Sequence, residues 1–331
     1  SISALSALQS TQAVGLSSAQ IEGLSTAQIN TISPTAFSGL TVAALAGVNG
    51  SNALALTSAQ VRAMTSEQVA ALSTAALEGL SQQAIMGLEA LDVETFDSTD
   101  IRALGLDITD LSTSGFAALS CNSAMGLTSA QIHGMSSAQV AALSTHALYT
   151  LSSDAVAGFK SAHIATLDST EIHVLGLKLG ELSSDAASAL TSTQVQSMSS
   201  AQLAALSSGA VQALTSSAVS AFEVDDVSAL GSASIQALGI HLNQLSADAI
   251  KGMNHANAAG LTLSQIQSLS SSQFNALSVD ALEALGEAAV SGIQSSAIAT
   301  LSASELMVLS TRIGELSSSA ASALDSAQVK A

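Results

Sequence analysis

The sequence predicts an all-α solenoid built from very short capped helices, one for each tandem eight-residue repeat. Three observations lead to this fold class: a large apolar residue recurs every eight residues, each repeat carries a helix-start signal, and aromatic residues make up only 2% of the 331 residues. Large aromatic side chains normally supply much of the buried area of a globular core. The composition therefore favours thin, closely packed layers, as in other repeat proteins.

The first position of each repeat is Leu or another large apolar residue, and the commonest octad reads L-S/T-S/T-A-Q-V/I-x-A/G. Residues 16–23 (LSSAQIEG), 135–142 (MSSAQVAA) and 324–331 (LDSAQVKA) are examples. The register continues along the chain without a linker. Ala or Gly at position 8 allows the next backbone to approach closely.

Each octad predicts its own helix. Ser or Thr at position 2 is a good N-cap, and Gln at position 5 is then the third helical residue, which completes a capping box. Leu at position 1 and Val or Ile at position 6 form a hydrophobic staple. We therefore expect helices of about a turn and a half that begin near position 3, with the side chains of positions 1 and 6 buried together.

Two alternatives fit the octad less well. In one continuous helix, eight residues would rotate each Leu by about 80° beyond two turns, so no apolar stripe would form. In a β-solenoid, positions 1 and 6 would face opposite sides of a strand, and Ala and Gln are poor strand formers.

Four seven-residue repeats interrupt the octads at long intervals. They are 104–110 (LGLDITD), 175–181 (LGLKLGE), 238–244 (LGIHLNQ) and 309–315 (LSTRIGE). Apolar and polar residues alternate in the first three, which predicts short extended segments about every 63–71 residues.

The domain organisation predicted from these repeats is one continuous solenoid over residues 1–331. The heptads divide it into long blocks of roughly 32–103, 104–174, 175–237, 238–308 and a partial block 309–331. Stacked blocks would bury their Leu and Val faces against one another.

The LSSAQIxG and LSTAQIxx units resemble the Leu-Thr/Ser-x-x-Gln-Val-x-Ala repeats of very large proteobacterial secreted or cell-surface proteins, which are described as adhesins or haem-utilisation proteins. The resemblance covers essentially the whole chain. It implies an extracellular or cell-surface location and an adhesin-like or structural role, and it transfers no catalytic residues.

The charge balance excludes several partner classes. The chain has 25 acidic and 7 basic side chains and a formal net charge of −18. Nucleic acids and anionic membranes attract Lys- and Arg-rich surfaces, so we expect neither partner, and no apolar stretch is long enough to insert into a bilayer. The single cysteine, Cys121, excludes an intrachain disulfide.

The sequence offers little site chemistry. The six histidines lack the spacing of zinc motifs, and nothing places a base beside Cys121. We therefore predict no catalytic residue, no cofactor and no enzyme activity. The candidate metal ligands are carboxylates that would suit calcium: Asp97, Asp100, Asp107 and Asp110.

Two hypotheses of function follow. The first is a structural protein that forms a fibre, a stalk or a matrix filament, either by head-to-tail self-association or as part of a longer chain. This expectation rests on terminal octads that begin and end without a polar capping helix. The second is a solenoid binding module that presents a surface to a peptide, a glycan or a small ligand. A binding surface of this kind should vary from repeat to repeat and carry aromatic or charged anchors.

Overall fold

The computed structural model describes residues 1–330, apart from the side chains of Ser310 and Thr311. The chain divides into two compact units, Ser1–Phe159 and Lys160–Ala331. Every regular element within residues 1–330 is helical. The predicted all-α solenoid of short helices is confirmed.

The first unit contains short α-helices and one 3₁₀ helix. They are α1 (Ile2–Ser6), α2 (Ser10–Ala13), α3 (Ser18–Glu22), α4 (Thr26–Thr31), α5 (Pro34–Phe37), α6 (Val42–Leu45), α7 (Gly50–Ala53), α8 (Ser58–Ala63), α9 (Ser66–Val69), α10 (Thr74–Glu78), α11 (Gln82–Ile85), α12 (Ala90–Val93), α13 (Ser98–Ala103), η1 (Gly105–Asp110), α14 (Thr113–Ala117), α15 (Cys121–Ala124), α16 (Ser129–Gly134), α17 (Ser137–Val140), α18 (Thr145–Thr150) and α19 (Ser153–Val156).

The second unit has the same kind of elements, with further 3₁₀ helices among them. They are α20 (Ser161–Ile164), α21 (Ser169–Val174), η2 (Gly176–Glu181), α22 (Ser184–Ala187), α23 (Ser192–Ser197), α24 (Ser200–Ala205), α25 (Ser208–Ala213), α26 (Ser216–Val219), α27 (Val224–Ala229), α28 (Ser232–Ala237), η3 (Gly239–Gln244), α29 (Ala247–Ile250), α30 (His255–Ala258), α31 (Leu263–Ser268), α32 (Ser271–Phe274), α33 (Val279–Ala284), α34 (Glu287–Ser291), α35 (Ser295–Ile298), α36 (Ala303–Leu309), η4 (Ser310–Glu315) and α37 (Ser318–Ala321).

The capping box predicted for each octad is present in α3. The Ser17 hydroxyl accepts from the Gln20 backbone N–H, and Gln20 Oε1 accepts from the Ser17 backbone N–H at 2.8 Å. The helix begins at Ser18, which is octad position 3. The first-turn donors of such a short helix are therefore satisfied within the octad itself.

The apolar core of each unit is formed by octad positions 1 and 6, as the staple pattern predicts. Three position-1 leucines are at most 6% exposed, and the position-6 side chains of the octads just before them are fully buried: Leu72, Leu143 and Leu206, with Val69, Val140 and Leu203. This confirms the predicted core face.

Hydrogen bonds between octads define the length of one coil. Some join residues 24 or 25 positions apart, such as Asn30 Nδ2 to Ala55 O, and others join residues 26–31 apart, such as Gln60 Nε2 to Ile29 O and Ile32 O. Within each unit, octads thus lie against those three and four places earlier, and one coil holds about three and a half octads. A coil is therefore much shorter than the long blocks between heptads.

Glycine at octad position 8 is required where coils approach most closely. A Cβ atom on Gly47 would lie 2.0 Å from Ser18 O, and one on Gly126 would lie 2.1 Å from Ser98 O. In both pairs the contacted residue is the first of the helix three octads earlier. The spacing between neighbouring coils is set by these backbone contacts.

The extended heptads predicted from the alternating pattern are wrong. All four heptads form 3₁₀ helices, and Gly105, Gly176 and Gly239 start three of them with φ of +54°, +60° and +54°. In a strand, Leu106 and Ile108 would share a face, whereas Leu106 is 61% exposed and Ile108 is buried. Alternation misleads here because a left-handed glycine redirects the chain into a tight helical turn with three residues per turn.

Candidate functional site

The main polar feature of each unit is a set of buried glutamines at octad position 5. Gln60, which is 1% exposed, accepts from the Thr57 backbone N–H at 2.9 Å through Oε1 and donates to Ile29 O and Ile32 O, both at 2.8 Å, through Nε2. The same amide therefore caps its own helix and bonds to the carbonyl end of an earlier one. Buried polar groups of this kind are stabilising because all their hydrogen-bonding capacity is used.

This arrangement recurs in both units. Gln139 donates to Thr109 O at 2.7 Å and to Leu111 O at 3.0 Å, and Gln273 donates to Asn243 O at 2.8 Å and to Leu245 O at 2.7 Å. The sequence analysis identified the capping role of these glutamines and missed the bond to the earlier coil. The signal in the sequence is their place in the octad, since position 5 directly precedes the apolar position 6 that faces the core.

Asp92 occupies the same octad position and lacks the donor. It is 4% exposed, and its Oδ2 accepts from the Glu89 backbone N–H at 2.8 Å. Burial is the main reason that the pKa of Asp92 is raised above 3.8, and the neighbouring Glu89 charge adds to the effect, although hydrogen bonds from Glu89 and Ser66 oppose it. An ionised carboxylate cannot make the donation that Gln60 makes.

His163, also at position 5, acts as a cap rather than as an exposed metal ligand. It is fully buried, and its Nδ1 accepts from the Lys160 backbone N–H at 3.2 Å. Asp168 and Glu171, two acidic residues close to His163 in the sequence, also act as caps, because they form the capping box of α21. Cys121 is exposed and its thiol contacts His146 O at 3.8 Å.

The four calcium candidates lie on two elements. Asp97 is the N-cap of α13 and Asp100 completes its capping box, while Asp107 and Asp110 lie in η1. Burial raises the pKa of Asp100, and the charge of Asp97 contributes. Among residues 1–330, no three His, Cys, Asp or Glu side chains are grouped so that they could hold a metal ion.

Octad position 7 is the part of the helix surface that varies most. Its side chains include apolar and charged residues that are largely exposed, such as Leu54 and Met86 at 61% and 58% and Arg62, which forms a 3.5 Å ion pair with Glu89. Two cavities of about 530 and 540 Å³ open on the surface of the first unit, and each is lined in part by a residue of η1. One is lined by Leu54, Glu78 and Asp107 and the other by Leu106 and His133, among others.

Comparison with known proteins gives no family assignment: no protein-family model and no curated protein matches the chain. None of the described helices is both long and apolar enough to cross a membrane.

Proposed function

We propose that this chain is a structural repeat protein of the bacterial cell surface, a component of a stalk, a fibre or an extracellular matrix. The observation that carries the proposal is the buried glutamine bond between coils. Each such glutamine links its octad to residues 26 to 31 positions earlier, as Gln194 does with Ile164 and Leu167 at 2.8 and 2.7 Å. The free energy of unfolding then grows with each added coil, which suits a protein whose role is to span a long distance.

The surface charge supports the same proposal. With 25 acidic and 7 basic side chains, neighbouring copies repel one another unless specific contacts form. A single cysteine and the resemblance to secreted and surface repeat proteins favour a location outside the cell. The proposal assigns no catalytic role to the chain, and head-to-tail self-association remains part of it as a prediction.

Electron microscopy of native assemblies, labelled with antibodies raised against this chain, tests the proposal. We expect intact cells to carry filaments or stalks of constant width, and we expect the antibody label to lie along them. Digestion of intact cells with proteinase K should remove the label. A label confined to discrete particles in the cell interior would contradict both the structural role and the location.

A binding module is the second candidate, and the exposed side chains at octad position 7 favour it. Leu54 and Arg62 lie in successive octads of the first unit and differ in chemistry, and Met86 lies three octads after Arg62, whose Nη2 donates to Met86 O at 3.4 Å. Glycan and peptide arrays probed with the whole chain test this candidate. Specific binding that is lost when Arg62 and Met86 are replaced by Ser would favour the module over a purely structural role.

A further inference from the structure

The fourth position of every heptad is a charged or titratable residue, and in the second unit two of these side chains bond to an earlier coil. His241 Nδ1 lies 3.0 Å from Leu214 O, 27 residues earlier, and an Arg312 Nη1 hydrogen bond reaches Leu285 O at the same separation. Both carbonyls belong to position-1 leucines that immediately precede a helix N-cap. The heptad thus places a donor against a fixed carbonyl.

Asp107 occupies this position in the first unit. The carbonyl 27 residues earlier is that of Leu80, another position-1 leucine, and Leu80 and Asp107 line the same surface cavity of about 530 Å³. A carboxylate cannot donate to a carbonyl. No hydrogen bond to Leu80 O is formed within the part of the chain that the structure describes.

The residues that line this cavity include two carboxylates, two leucines and the polar side chains of Ser81, Gln82 and Gln83. Glu78 and Asp107 are its ionisable residues, and Leu54, one of the lining leucines, is 61% exposed. Leu80 O is the counterpart of Leu214 O and Leu285 O, to which His241 and Arg312 bond. No Lys or Arg side chain is among the residues that line the cavity.

We propose that the cavity between Asp107 and Leu80 binds an arginine side chain of a partner peptide. The guanidinium donates to Leu80 O, as Arg312 does to Leu285 O within the chain, and to the Asp107 carboxylate. Arginine suits such a site because its planar group donates in two directions at once. An apolar residue next to the arginine packs on Leu54.

A titration monitored by NMR tests the site on the full chain with ¹³C-methyl-labelled leucine. The probe is acetyl-Leu-Arg-amide, and its neutral counterpart is acetyl-Leu-citrulline-amide. We expect saturable shifts of the Leu54 and Leu80 methyl signals with the arginine probe, and binding about fivefold weaker with the citrulline probe.

Two variants of Asp107 and one control variant make the test decisive. Asp107→Asn should weaken the arginine probe about fivefold. Asp107→Arg should abolish binding, because the new side chain reaches Leu80 O from within the chain and occupies the site. Glu94→Gln, which removes an exposed carboxylate elsewhere on the same unit, should leave the affinity unchanged. Equal binding of both probes, unchanged binding in Asp107→Asn, or absence of saturable shifts in the wild-type chain would overturn the proposal.

Discussion

Replacing Gln60 by Ala should destabilise the first unit far more than the same change at Gln20. Both residues occupy octad position 5 and complete a capping box. Gln60 is buried and also donates to Ile29 O and Ile32 O, whereas Gln20 is exposed and its hydrogen bonds are confined to its own octad. The pair therefore separates the bond between coils from the local cap.

The expected magnitudes follow from the bonds that each change removes. Gln60→Ala removes two accepted hydrogen bonds, from Thr57 N and Thr57 Oγ1, and two donated ones. It leaves Ile32 O unpaired within the described structure, whereas Ile29 O keeps its bond from Ile32 N. At about 0.5–1.5 kcal/mol for each bond, the loss in the free energy of unfolding is about 2–6 kcal/mol. Gln20→Ala should cost about 0.5–1 kcal/mol, as for other exposed helix caps.

Urea denaturation followed by far-UV circular dichroism measures both losses, and hydrogen exchange shows where they act. Gln60→Ala should speed exchange in α8 and in α4, which supplies one of the bonded carbonyls, while Gln20→Ala should affect α3 alone. Equal losses for the two variants would refute the reasoning, because the bonds between coils would then contribute nothing beyond the cap.

Three further predictions use other parts of the same packing. Leu143→Ala should lower the free energy of unfolding by about 2–5 kcal/mol, because this side chain is 2% exposed; a loss below about 0.5 kcal/mol would place it on the surface. Gly47→Ala should lower the free energy of unfolding by about 1–3 kcal/mol, because its Cβ would meet Ser18 O at 2.0 Å. Gly23→Ala is the control and should be tolerated, because its Cβ would have no contact closer than 3.4 Å. Thermal denaturation of the two variants compares their stabilities. Asp92→Asn should stabilise the first unit by about 1 kcal/mol at neutral pH, because it replaces a buried carboxylate by an amide that can donate. Since the folded-state pKa of Asp92 is raised above 3.8, the wild-type chain gains stability as the pH falls through that pKa. The advantage of the variant should therefore shrink in acid, and an advantage independent of pH would contradict the assignment.

The sequence predicts the helices of this fold well because their signals are local. Ser17 and Gln20 form a capping box within four residues, and no distant contact is needed to specify α3. The coil length is different, because it depends on where residues such as Gln60 and Ile29 meet after intervening turns. Eight-residue periodicity fixes the unit and does not fix how many units complete a coil.

The heptads and the candidate site show a second limit of sequence reasoning. The alternation of Leu106 and Ile108 is compatible with a strand and with a 3₁₀ helix, and the left-handed Gly105 decides between them. The four predicted calcium ligands were grouped by their proximity in the sequence. Folding assigns Asp97 and Asp100 to a helix cap and places Asp107 in a separate cavity. The sequence did offer one sign of the cavity: Asp107 occupies the heptad position that Arg312 occupies in a later heptad, and the two side chains differ in charge.

The bond between coils can be observed directly by NMR. In the full chain with ¹⁵N-labelled glutamine and ¹³C-labelled isoleucine, the Gln60 side-chain amide protons should show nuclear Overhauser effects to Ile29 and Ile32 and should exchange slowly with solvent. Both carbonyls lie 2.8 Å from Gln60 Nε2, well within range of such effects. Rapid exchange, with effects only to residues of the Gln60 octad, would contradict the claim that these glutamines join one coil to the next.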